Sequence, residues 1–248
     1  MALFQGTLYA ESLGMNTAVT IAYPGERKLK GLSGELPVLY LLHGLSDNDT
    51  SWVRRTDVEF CAEDAGIVLV MPEVQRSFYA DMAYGPRYFT YVADELPAFC
   101  REMLHISARR EETFAAGLSM GGYGALRVAL SRPDRFAAAA SFSGAVDAAA
   151  RVKEHQPEFF AITGSEGLRP EDDLFRLAAQ VPEPQRPRIY MSCGLQDFLL
   201  EDNRKFSAYL DGLGWEHTFE TWEGGHEWPF WNESVRKALR FFLPQDGQ

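Results

Sequence analysis

AAGLSMGGYGAL, residues 115–126, decides how this chain is read. The tripeptide Gly-Leu-Ser occurs three times, at residues 31–33, 44–46 and 117–119. Only after the third does another glycine follow one residue later. Gly117-Leu118-Ser119-Met120-Gly121 thus fits G-x-S-x-G, a pattern that means little until its surroundings are known. Before it, ETFAAG (112–117) reads as a buried strand. After it, Ala125, Leu126, Val128, Ala129 and Leu130 form the apolar face of a helix. Strand, sharp turn and helix is the setting that lifts a nucleophilic serine clear of a sheet. In so tight a turn, side chains two residues before and after the serine would collide. Gly121, Gly122 and Gly124 also occupy the first turns of a helix, where each costs about 1 kcal/mol relative to alanine. Such local violations are expected at functional sites. The competing reading is a glycine-rich turn that packs a helix on a sheet and leaves Ser119 no role. Ser33 falls in a polar loop, and Ser46 precedes Asp47-Asn48-Asp49, which does not open a helix.

Outward from this stretch, strand and helix patterns alternate. PVLYLLHG (37–44), GIVLVMP (66–72), FAAAASFSG (136–144) and PRIYMSCG (187–194) have the apolar character of buried strands. HTFETWEG (217–224) alternates like a strand nearer an edge, and the first 23 or so residues read as a strand pair. Thr56-Asp57-Val58-Glu59 has the spacing of a capping box, with Gly66 as its helix stop. A further helix starts near Asp94, with Pro97 tolerable only in its first turn, and runs to about Leu104. Others follow Ser119, cover about Asp202 to Leu213, and close the chain at 231–243. Together these predict a mostly parallel sheet covered by helices on both faces. Residues 148–186 are polar, proline-bearing and irregular. They read as a cap or insertion at the carboxyl edge of the sheet, within one domain spanning 1–248.

The formal charge of −11 and a pI near 5.0 disfavour nucleic acid and anionic membranes as partners. The N-terminus lacks the pattern of a signal peptide, and no apolar run approaches the ~18 residues of a membrane span. Cys61, Cys100 and Cys193 are far apart and show neither disulfide nor zinc spacing. A cytoplasmic location is the simplest expectation, and the spacing suggests no metal site. No GxGxxG or Walker loop is present, which argues against hydride and phosphoryl transfer.

A serine needs an adjacent base. Of five histidines, His43 ends a strand, His217 begins one, His105 sits at a helix end and His155 in the irregular segment. His226, in Gly224-Gly225-His226 between the last strand and the last helix, stands where the chain order Ser…Asp/Glu…His puts the base. Asp197, three residues past the glycine that ends the 187–194 strand, is the candidate acid. Its role is to fix the imidazole tautomer and stabilise the imidazolium. Asp147, Glu201 and Asp202 are its rivals. The oxyanion would be held by the backbone N–H groups of Met120, after the nucleophile, and Leu45, after the 37–44 strand. Aromatic residues crowd 78–91, and Trp52, Tyr84, Trp228 and Trp231 are candidates for an apolar substrate wall.

LLHGLSDNDTSW, RSFYADMAYGPRYFTY, GLSMGGYGAL, CGLQD and GGHEWPFW together resemble the esterase D branch of the α/β-hydrolase fold. The chain looks most like its bacterial tributyrin and acetyl esterases, from about Phe4 to Phe242. The resemblance implies a central sheet of about eight strands, hydrolysis of short-chain acyl esters and no cofactor. It implies a triad of Ser119, Asp197 and His226, oxyanion amides at Leu45 and Met120, and a homo-oligomer as the common assembly. Two departures stand out. His43-Gly44-Leu45-Ser46 replaces the HGGG of lipases, and the Leu-Thr-Cys run of S-formylglutathione hydrolases is absent. S-formylglutathione hydrolase and feruloyl esterase activities are the alternatives within the branch. An acyltransferase and a non-catalytic hydrolase-fold binding protein are the alternatives beyond it.

Overall fold

A computed structural model describes residues 1–25, 34–154 and 156–243. A hairpin of β1 (Ala2–Ala10) and β2 (Met15–Tyr23) opens the sheet. It is followed by β3 (Val38–Leu42), β4 (Val68–Pro72), β5 (Thr113–Leu118), β6 (Ala138–Phe142), β7 (Arg188–Gly194) and β8 (His217–Trp222). Their order in space is β1-β2-β4-β3-β5-β6-β7-β8. β2 runs antiparallel to β4, and every later pairing is parallel. This is the mostly parallel sheet that the alternating pattern predicts, in the α/β-hydrolase architecture that the resemblance implies.

The helices are α1 (Ser51–Arg55), α2 (Val58–Ala65), α3 (Leu96–Met103), α4 (Met120–Ser131) and α5 (Ala148–Glu154). Then come α6 (Gln156–Thr163), α7 (Leu174–Gln180), α8 (Leu200–Gly212) and α9 (Trp228–Phe242). β3 shows why the central strands are apolar at every position. Val38, Tyr40 and Leu42 point into the core that holds Leu126 of α4 and Phe206 of α8. Leu39 and Leu41 point into the core of the other face, with Val58 of α2 and Val235 of α9. A two-residue period with helices on both faces leaves no polar side. Among the described residues, no helix is long and apolar enough to cross a membrane.

Three local expectations are corrected. The capping box at Thr56–Glu59 does not form. Thr56 Oγ1 donates to Trp52 O at 2.6 Å, closing α1, and Asp57 precedes α2 without a side-chain cap. Gly66 does stop α2, at φ 69°. Helical backbone begins at Tyr88 rather than near Asp94, and a π turn over Tyr91–Glu95 leads into α3. This wide turn accommodates Pro97, whose missing N–H would otherwise break the ladder. Residues 148–186 are more helical than their composition indicates. α5, α6 and α7 are only seven or eight residues long, too short for a helical period to show. Asp173 caps α7 by accepting the Phe175 N–H at 2.9 Å. α6 is laid against the 78–84 loop: Ala83 and Tyr84 donate their N–H groups to Ile162 O and Ala161 O, and Phe159 packs on Phe78 at 4.5 Å.

Candidate active site

Ser119 sits between β5 and α4 at φ 53°, ψ −116°. This region is unfavourable for a residue with a Cβ and costs about 1–3 kcal/mol. Its surroundings hold it there. The Ser119 N–H donates to Phe142 O at 2.9 Å, and Ser119 O accepts from Tyr123 N and Ala145 N at 3.1 and 3.0 Å. A Cβ on Gly117 would overlap Gly121 O, and one on Gly121 would overlap Leu42 O. Both obstacles are backbone and cannot yield. Gly124 makes room for the Tyr79 ring, whose hydroxyl donates to His43 O at 2.9 Å. The glycines thus fit the turn and also anchor the loop after β3.

His226 lies in the loop between β8 and α9, and Asp197 in the loop after β7. Gly194 allows the two loops to touch, because a Cβ there would strike Gly224 O. Gln196 then clamps them. Its backbone N–H donates to Gly224 O at 3.0 Å, its Oε1 accepts the Gly224 N–H at 2.8 Å, and its Nε2 donates to Glu223 at 2.7 Å. The result is an Asp197 Oδ2 to His226 Nδ1 distance of 2.9 Å. The other carboxylate oxygen accepts the Leu199 N–H at 2.9 Å. Burial alone would raise the Asp197 pKa. The His226 ring, the Leu199 N–H and the Ser143 hydroxyl outweigh it and hold the carboxyl below its ordinary range. An ionised Asp197 accepts, so Nδ1 carries the proton and Nε2 is the basic nitrogen.

Ser143 is a second strained, buried serine, at φ 47°. Its Oγ accepts the Trp231 indole N–H at 3.2 Å, and its hydroxyl favours the ionised form of Asp197. Trp231 also meets the His226 ring edge-on, with centroids 4.9 Å apart, and Phe198 packs at 4.7 Å from the same ring. Imidazole and carboxylate are therefore fixed from several sides.

Ser119 and His226 share a cavity of about 500 Å³ with Leu45, Met120, Phe78 and Trp231 among its other walls. Met120 is the first residue of α4, so its N–H has no acceptor within the helix. Of the four proposed wall aromatics, only Trp231 lines this cavity. Trp52 is buried in the core, its indole donating to Leu42 O at 3.1 Å. Trp228 stands behind Trp231, at 5.3 Å, and faces a separate cleft with Arg54 and Arg55. Tyr84 is 64% exposed and stacks on Phe160. Sequence proximity to His226 could not tell which face of α9 each tryptophan takes. Gln196, Ser143, Phe198 and Arg151 escaped the sequence reading, since only tertiary contact gives them a role.

The rival groups have other duties. His43 Nδ1 donates to Gly44 O at 2.7 Å and its Nε2 accepts the Val74 N–H at 3.1 Å. His217 is held likewise between Trp215 O and the Ser207 hydroxyl. His105 is exposed. Asp147 accepts the Ala150 N–H and pairs with Lys205, Glu201 pairs with Arg204, and Asp202 with Arg151. Ser33 and His155 lie outside the described residues.

The Esterase family model matches residues 10–242. The chain belongs to the Esterase family. This makes it a carboxylic-ester hydrolase of the α/β-hydrolase fold. Among members of known name, it is similar to the acetyl esterase of Caldicellulosiruptor saccharolyticus, at 30% identity over 97% of this chain and 98% of that protein. Among solved structures it resembles FphF, a fluorophosphonate-binding serine hydrolase of Staphylococcus aureus, with a TM-score of 0.92 and 30% identity. That alignment covers 98% of this chain and 99% of the other. It also resembles an S-formylglutathione hydrolase of Staphylococcus aureus, with a TM-score of 0.87, 29% identity and 98% of each chain. This Esterase-family chain thus carries its strained serine, its histidine–aspartate pair and its cavity on the fold that these hydrolases share.

Proposed function

We propose that the chain is a serine esterase of short-chain acyl esters in which Ser119, His226 and Asp197 form the catalytic triad. The observation that carries this reading is the shared cavity. The strained Ser119 and the His226 ring, backed by Asp197 at 2.9 Å, open onto one mostly apolar cleft. His226 Nε2 takes the Ser119 proton as Oγ attacks the ester carbonyl. Asp197 stabilises the imidazolium without taking its proton. The Leu45 and Met120 N–H groups hold the oxyanion, each worth about 2.7–4 kcal/mol. His226 returns the proton to the departing alcohol, and an acyl-serine remains. Water, activated by the same imidazole, then releases the acid.

Phe78, Leu118 and Trp231 line this space and give a small acyl group an apolar surface to pack on. The test is hydrolysis of 4-nitrophenyl acetate, butyrate and octanoate. We expect kcat/KM to be high on the first two and at least about tenfold lower on octanoate, within the range that pocket fit supplies. Octanoate turned over as well as butyrate would overturn the short-chain assignment. The similarity to an S-formylglutathione hydrolase makes that thioester the natural fourth substrate of the series.

A further inference from the structure

One wall of the cavity is cationic. Arg151, on α5, lines it alongside Ala145, Leu199 and Phe198. Its side chain is 13% exposed, and its Nη2 donates to Asp202 Oδ2 at 3.1 Å. The segment that carries it is tied to the nucleophile, since the Ala145 N–H donates to Ser119 O at 3.0 Å. The start of α5 is fixed as well, by the Asp147 carboxylate that accepts the Ala150 N–H and meets Lys205 at 2.6 Å. Asp202, in the first turn of α8, then sets the direction of the guanidinium.

A pocket built only for acetyl or butyryl groups has no use for such a residue. Withdrawing a guanidinium from water is costly, and pairing with a carboxylate such as Asp202 offsets the cost only in part. A planar fork of five donors is suited to gripping the carboxylate of a substrate. Among the described cavity-lining residues Arg151 is the one permanent cation, and Asp47, beside Gly44, is the one carboxylate. The chain as a whole carries a formal charge of −11. Its long-range field therefore repels anions, and any preference for them must be made locally.

We propose that Arg151 is a specificity-determining residue that selects esters bearing a carboxylate, on the acyl chain or on the leaving group. The inference rests on the triad reading, because it places the carboxylate in the same cavity as Ser119. Two matched pairs separate the sources. 4-Acetoxybenzoate against its methyl ester reports a carboxylate on the leaving group. Mono-4-nitrophenyl glutarate against 4-nitrophenyl valerate, with spontaneous hydrolysis subtracted, reports one on the acyl chain. The quantity read is the ratio of kcat/KM for the anionic ester to that for its neutral partner. We expect Arg151→Leu to lower this ratio at least about tenfold in one pair, mainly through KM, as loss of uniform binding does. Arg151→Lys should retain part of the preference, and added salt should erode it in the wild type. A ratio within twofold of wild type in both pairs, with both esters falling together, would make Arg151 a structural partner of Asp202 and overturn the proposal. Failure of the triad reading is distinct: Ser119→Ala would then hydrolyse every ester of both pairs.

Discussion

Ser119→Ala should lower kcat for ester hydrolysis by about 10⁶-fold. The size follows from the mechanism. Without Oγ there is no acyl-enzyme, and His226 has no proton to take. Only the oxyanion donors and the binding of substrate remain, worth about 10³–10⁴ over water in enzymes of this chemistry. Ser119 also occupies a backbone conformation that its neighbours enforce through three hydrogen bonds. Alanine has the same Cβ and meets the same strain, so the variant should fold as the wild type does, with an unchanged circular dichroism spectrum and melting temperature. Steady-state kinetics on 4-nitrophenyl butyrate read the effect. A variant that keeps a tenth of the wild-type rate would reduce Ser119 to a serine in a glycine-rich turn.

Asp197→Asn should cost about 10⁴-fold in kcat with little change in KM. An amide in this place offers its NH₂ group to Nδ1 and pulls the imidazole into the wrong tautomer, with Nε2 protonated and unable to act as base. The same substitution changes the dependence of stability on pH. The Asp197 carboxyl is held below its ordinary range in the folded protein, whereas in the unfolded chain it titrates near about 3.9. The unfolded state therefore binds more protons between those two values, and stability rises with pH there. This contribution is fully present above the unfolded value and is lost as pH falls through the folded one. The asparagine variant lacks it, so denaturant midpoints of the two proteins should lie furthest apart at neutral pH and converge under acid. A constant gap would show that the carboxylate contributes nothing specific.

Most of the fold is legible in the sequence because its signals are local. Apolar runs such as VLYLL and VLVMP are buried at every position, and Gly66 ends its helix in the left-handed conformation that the residue permits. The residues of the proposed triad are legible for a related reason. Each sits at a strand end in a fixed chain order, and the turn that holds Ser119 announces itself through glycines. The helix starts at Val58 and Tyr88 are not legible. In the first, the Thr56 hydroxyl is drawn to the preceding helix. In the second, a π turn hides a proline inside continuous helix. The cavity walls are least legible of all. Trp52, Trp228 and Trp231 form one edge-to-face series, and only position along that series makes the first a core residue and the last a wall of the site. Gln196, which locks the aspartate and histidine loops together, looks like an ordinary loop glutamine until both loops are seen side by side.

The central claim is that Ser119 forms a covalent intermediate with His226 as its base. The most direct test is to treat the wild type and His226→Ala with a fluorophosphonate and locate the adduct by peptide mass mapping. The account predicts a single stoichiometric adduct on the peptide containing Ser119 in the wild type, and slowing of its formation by several orders of magnitude in the variant. An adduct on Ser46 or another serine, or labelling at the same rate without His226, would contradict it.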